Sequence, residues 1–156
     1  MFRNREEFAC ALEALSRRDF AGAQAELNAL LERHPQGAER AFLLNKRGVA
    51  RIGLELRELA RADFLAALES YARYAPALTN LGNLLLESGQ VDDAIAYYER
   101  AVESDRDYAI AYLNLGVAYK RAGRIAEGVN ALRHAARLEE RSRATGLRFF
   151  RPFRWR

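Results

Sequence analysis

The chain lacks most of what would cross-link it or anchor it to a membrane. Of its 156 residues one is cysteine, Cys10, so no internal disulfide can form and nothing asks for an oxidising compartment. Only three prolines interrupt stretches rich in Ala, Leu, Glu and Arg, which favour helix. No apolar run approaches the ~20 residues of a membrane span. The opening MFRNREEF lacks the apolar core of a secretory leader, and Phe2 stands where N-myristoylation needs glycine. These absences predict a cytoplasmic protein.

Catalytic chemistry is also poorly provided for. The two histidines, His34 and His134, have no Cys or carboxylate partner at ligand spacing, so no metal site is expected. His34 precedes Pro35 and reads as a helix C-terminus, where an imidazolium suits the dipole. Cys10 falls among small residues and is expected to be buried filler. Asp92-Asp93 reads as a helix start, not as a paired acid and base. No glycine-rich phosphate loop occurs. The expectation is a chain without cofactor, metal or catalytic residue.

Charge is scarce in one respect and concentrated in another. Residues 1–140 hold 19 Lys and Arg against 21 Asp and Glu, whereas residues 141–156 hold six arginines and no acid. The net charge of +4 therefore belongs to the end of the chain. The body does not carry a nucleic-acid-binding surface by charge; only the tail could.

What the chain has is repetition. NLGNLLLESGQ at 80–90 returns 34 residues later as NLGVAYKRAGR at 114–124. Gly48, Gly82 and Gly116 form one column. Ala60, Ala94 and Gly128 form another, as do Phe64, Tyr98 and Leu132, and Ala67, Ala101 and Ala135. Within one unit Leu78, Leu81, Gly82 and Leu85 fall on one helical face, and after Ser88-Gly89 so do Ala94, Tyr98 and Ala101. Each unit is thus two short helices joined at a glycine. Gly82 and Ala94 allow close backbone approach, with Tyr98 filling the space beside them.

These residues resemble the tetratricopeptide repeat, a helix–turn–helix of 34 residues. Leu81-Gly82, Gly89, Ala94, Tyr98 and Ala101 carry the likeness, followed by Tyr112, Leu115-Gly116, Tyr119, Gly123 and Ala135. The preceding unit has Gly48, Ala60, Phe64 and Ala67, with Gly53 standing in for the usual turn glycine two places later. A degenerate first unit shows Phe8, Leu12 and Leu15, a turn at Arg18-Asp19, then Ala23, Leu27 and Leu30. Extra residues after Pro35, Gly37 among them, break the period. The resemblance implies an all-α, right-handed solenoid of about four units, at 4–36, 37–74, 75–108 and 109–140, with 141–156 as a basic aromatic tail.

The resemblance also implies a non-catalytic adaptor or scaffold that takes a peptide or protein segment in a groove lined by first helices. By the family pattern the groove residues are Asn45, Lys46, Asn80, Asn83, Asn114, Lys120 and Arg121. Two uses of Asn80 and Asn114 are open. A column of amides could hold an extended peptide backbone without reading its sequence, or each Asn could bridge helices within the fold. The carboxylate-clamp pattern of some members is incomplete, since Lys46 stands where the ladder asparagine would be and the first unit offers Ala9 and Leu12.

The tail, GLRFFRPFRWR, alternates arginine with aromatics, and Pro152 excludes a continuous helix. Arg148, Phe149, Phe150, Arg151, Phe153, Arg154, Trp155 and Arg156 are its candidate docking residues. Docking on a partner complex, or covering the last repeat's apolar face, stands ahead of an anionic membrane surface and of nucleic acid. The alternative function is accordingly a peripheral membrane or nucleic-acid-associated protein anchored by that tail. The partner is expected to belong to a larger assembly.

Overall fold

Four turns of the same design organise the backbone. The computed structural model describes residues 7–34 and 36–145, which form eight α-helices and no strand. These are α1 (Ala9–Ser16), α2 (Phe20–Arg33), α3 (Gly37–Gly53), α4 (Arg57–Ser70), α5 (Ala75–Glu87), α6 (Val91–Ser104), α7 (Ala109–Arg121) and α8 (Ile125–Ala144). At the end of α5 the Gly89 N–H donates to the Leu86 carbonyl and the Gln90 N–H reaches back to Leu85, at 3.2 and 2.9 Å. This satisfies carbonyls that a helix end would otherwise orphan, and it requires a left-handed residue between them. The same pair of bonds recurs around Gly123, Glu55 and Arg18, and all four residues have φ between 63° and 78°.

Two of those four are not glycine: Arg18 lies in the turn expected at Arg18-Asp19, whereas Glu55 corrects the expectation of Gly53. Glu55 occupies the left-handed position of the second turn. Gly53 instead ends α3, where an added Cβ would strike the Phe20 ring. The bonds of the motif offset the cost of placing a side-chain-bearing residue at positive φ, about 1–2 kcal/mol. A glycine is therefore a sufficient sign of this turn but not a necessary one.

Packing is set by the glycine column. A Cβ added at Gly82 would lie 2.6 Å from the Tyr98 ring, one at Gly116 would lie 2.7 Å from Leu132, and one at Gly48 would collide with Phe64. Each first helix therefore presses its bare backbone on a bulky side chain of the second. Tyr98 and Phe64 are fully buried as a result, and a buried ring of this size contributes about 1.5–3 kcal/mol. The expected helix start at Asp92-Asp93 is observed in the first turn of α6. Asp19 caps α2 by accepting the Gly22 N–H at 2.9 Å.

The chain divides into two compact units, the boundary falling between Ala77 and Leu78 within α5. In the first, Phe8, Ala11, Leu27, Leu30, Leu43 and Leu44 belong to one core. Cys10 is exposed, contrary to expectation. The buried stripe of α1 runs through Phe8 and Ala11, with Leu12 and Leu15 packed beside them, and Cys10 falls off it. His34 caps α2, its N–H bonding the Leu30 carbonyl. Its ring nitrogens lie 3.3 Å from Glu7 and 3.0 Å from Glu39.

Asp63, whose side chain is only 3% exposed, holds this unit together electrostatically. It receives Arg47 at 2.7 Å and Arg51 at 2.8 Å, while Arg47 also donates to Asn28 on α2 and Arg51 to the Leu59 carbonyl. Three helices are thus tied to one carboxylate. In the second unit α8 runs antiparallel to α7 and continues to Ala144, beyond the expected end at 140. Ser142 is buried there, and Arg141 reaches Asp107, just before α7, at 3.4 Å.

These contacts carry two expectations for stability. Gly82→Leu should lower the unfolding free energy by about 1–3 kcal/mol through overpacking against Tyr98, read from the urea midpoint. An unchanged midpoint would mean that the repeat register is wrong. Asp63→Asn should cost about 2–4 kcal/mol, since it leaves two guanidinium groups, both largely out of water, without their carboxylate. A loss no larger than that of an exposed Asp→Asn change would show that the cluster does not brace α2, α3 and α4.

Candidate functional site

The expected groove residues separate into two sets. Asn45 and Lys46 lie on α3 in the first unit, while Asn80 and Asn83 on α5 and Asn114, Lys120 and Arg121 on α7 lie in the second. Asn45 is buried at 3% exposure, so it does not line an open surface. Lys46 is half-buried, with its ammonium 5.4 Å from the centre of the Phe42 ring, and burial lowers its pKa. A cation over an aromatic face is attracted by the ring quadrupole.

In the second unit the amides are joined. Asn114 donates from Nδ2 to Asn83 Oδ1 at 2.8 Å, and the Tyr98 hydroxyl donates to the same oxygen at 2.7 Å. Asn83 thus collects a bond from the neighbouring first helix and one from the second helix of its own repeat. Burial pushes the Tyr98 hydroxyl far above its ordinary pKa, with Arg121 drawing it down and Glu87 adding to the rise. The phenol therefore remains a donor. For Asn114 the structure supports the bridging use; Asn80 and Asn83 are half-exposed, and Lys120 and Arg121 are exposed.

Further along α7, the Tyr119 hydroxyl donates to Glu99 at 2.6 Å, with Arg124 4.3 Å from its ring centre. Its pKa is pushed up to about 12, first by burial and then by the Glu99 bond and charge. The His134 ring lies against Tyr112, with centres 4.2 Å apart and planes inclined by 41°. Among the described residues no group of three or more His, Cys, Asp or Glu side chains could hold a metal ion, and no helix is long and apolar enough to cross a membrane. The tail candidates Arg148, Phe149, Phe150, Arg151, Phe153, Arg154, Trp155 and Arg156 lie outside the described residues.

Sequence reasoning missed three features. The Arg47–Asp63 pair was legible in principle, because its 16-residue separation is that of Gly48–Phe64 and Gly82–Tyr98. The Tyr98–Asn83 bond was hidden because Tyr98 read as bulk alone. The exposure of Leu113 and Val117 on α7 depends on whether a further helix packs against α7, and it has no local sequence sign.

Paired helices, four matching turns and glycine-seated second helices define an all-α helical-repeat protein. Family models described as TPR repeat, over residues 82–123, and Tetratricopeptide repeat, over 64–96 and 109–142, match the chain. The chain belongs to the tetratricopeptide-repeat family. Similar solved structures include a MamA double mutant at 24% identity and TM-score 0.65, the alignment covering 87% of this chain and 75% of that one. YrrB, a TPR protein with an unusual peptide-binding site, aligns at 21% identity and TM-score 0.63 over 86% and 68% of the two chains. The first TPR of Spaghetti, bound to an HSP90 peptide, aligns at 17% and 0.63 over 72% and 90%. At these identities the likeness is one of fold.

The desolvated phenols make stability depend on alkaline pH. Tyr98, Tyr108 and Tyr119 all have raised pKa values in the folded chain. Their contribution is complete below the unfolded value near 10 and is lost as pH rises from there toward the folded values. The urea midpoint should therefore fall between about pH 9 and about pH 11, and Tyr98→Phe should reduce that fall. An equal fall in the variant would show that Tyr98 is not part of the linkage.

Proposed function

We propose that the chain is a non-catalytic adaptor that takes an extended peptide or protein segment on the first-helix face of its second unit. The observation that carries this reading is the placement of Asn80 and Arg121, beside the bonded Asn83. They remain accessible on α5 and α7, whereas Leu78, Leu81 and Leu115 on the same helices are buried. Amides present a donor and an acceptor that match a peptide bond, and Arg121 adds a fork for a carboxylate. The Asn114–Asn83 bond holds one amide in place before a ligand arrives, which reduces the ordering cost of binding. Peptide complexes among proteins of similar fold support the same use: the Spaghetti repeats hold an HSP90 peptide, and YrrB has a peptide-binding site. The arginine–aromatic tail supplies a second docking element, for a partner complex.

A displayed peptide library selected on the full chain tests the reading. Selected peptides should lose about tenfold or more in affinity with Asn80→Ala combined with Arg121→Ala, each lost hydrogen bond being worth about 1 kcal/mol or somewhat more when charged. The unfolding midpoint should stay in place. Peptides that ignore both changes, or that are lost when the tail is removed and released by moderate salt, would favour anchoring of the chain by its tail to phosphate or lipid.

A further inference from the structure

The repeat itself shows which face of α7 is meant to be covered. Shifting by one period places Leu113 on Thr79 and Val117 on Asn83. Thr79 is 2% exposed, and Asn83 is bonded by Asn114 of the next first helix. On α5, therefore, this face is occupied by the first helix of the next repeat. On α7 the equivalent residues are Leu113 and Val117, each 39% exposed. They lie one turn apart on one strip of the helix, with half-buried Ile110 beside them. This is an apolar strip that the first helix of the preceding repeat does not leave open.

The chain carries its own occupant. Helix α8 returns along α7 in the opposite sense, with Gly128 against Lys120 and Leu132 against Gly116, and its end is tied by Arg141 to Asp107 at the start of α7. Thr145, four residues beyond Arg141, therefore lies toward the N-terminal end of α7, and residues 146–156 follow it in the sequence. Eleven residues span at most about 36 Å, whereas α7 is about 20 Å long. Phe153 and Trp155, eight and ten residues beyond Thr145, are thus within reach of Leu113 and Val117. We infer that in the free chain the tail seats its aromatic rings on the Leu113–Val117 strip of α7, in the place a further repeat would take. Ile110, Leu113 and Val117 offer the tail's arginines no acid to pair with, so the rings carry the contact, and added salt should not release it. A partner complex that takes the tail must then compete with α7 for it.

Trp155 is the only tryptophan, so the fluorescence of the full chain reports the tail directly. Seated, it should emit to the blue of a water-exposed indole. Acrylamide should quench it several-fold less than in the urea-unfolded chain, independently of protein concentration. Leu113→Ser with Val117→Ser should return both readings to those of an exposed tryptophan while the helical circular dichroism persists. Should that variant lose its helix signal, Val117→Lys, an exposed position given a good helix former, serves with the same expectation. Water-like emission in the unmodified chain overturns the inference, as does protection that survives these substitutions. Protection that grows with protein concentration assigns the strip to the tail of a second copy and overturns the intramolecular seating.

Discussion

Everything in this fold depends on how closely two helices of one repeat can approach. At Gly48, Gly82 and Gly116 the first helix offers bare backbone, and the residue sixteen places on fills the space a side chain would have taken. That contact fixes the register of the pair and buries the largest side chains, Phe64 and Tyr98. It also fixes where the rest of the first helix points. With the glycine face turned inward, half-exposed Asn80 and exposed Arg121 are left toward solvent, with Asn83 bonded beside them. The face proposed to receive a peptide is the complement of the packing face.

The turns supply the second constraint. Each needs one residue at positive φ, and the bonds to the preceding helix end hold Glu55 and Arg18 there as well as Gly89 and Gly123. The 34-residue columns showed the repeats because glycine and small residues at close contacts admit few substitutes. The turn at Glu55 was not legible, because hydrogen bonds can offset an unfavourable φ without leaving a mark on residue type. Cys10 misled for a related reason: in a helix as short as α1, one step along the sequence separates a buried face from an exposed one.

The candidate site was legible in outline and not in wiring. The asparagines stood out as poor helix formers placed mid-helix, and three of them do come together through α5, α6 and α7 or lie beside that network. Asn45 stands one residue before the column of Asn80 and Asn114, in line with Thr79, and both are buried; one step along a first helix separates an open position from a covered one. The Asp63 cluster shows the limit from the other side: an acid in a second helix and two arginines in a first drew no reading from the sequence, and tertiary packing makes them a brace. Function inherits that division. The second unit's amides are partly structural and partly open, so the surface proposed to receive a peptide is already ordered by the fold.

Binding on the first-helix face is measured most directly by mapping backbone amide shifts in the full chain on titration with a library-selected peptide. A peptide held there should give perturbations centred on Asn80, Asn83, Asn114 and Arg121, with α6 and the outer side of α8 unmoved. Perturbations confined to α6 and α8, or to residues 146–156, would contradict it.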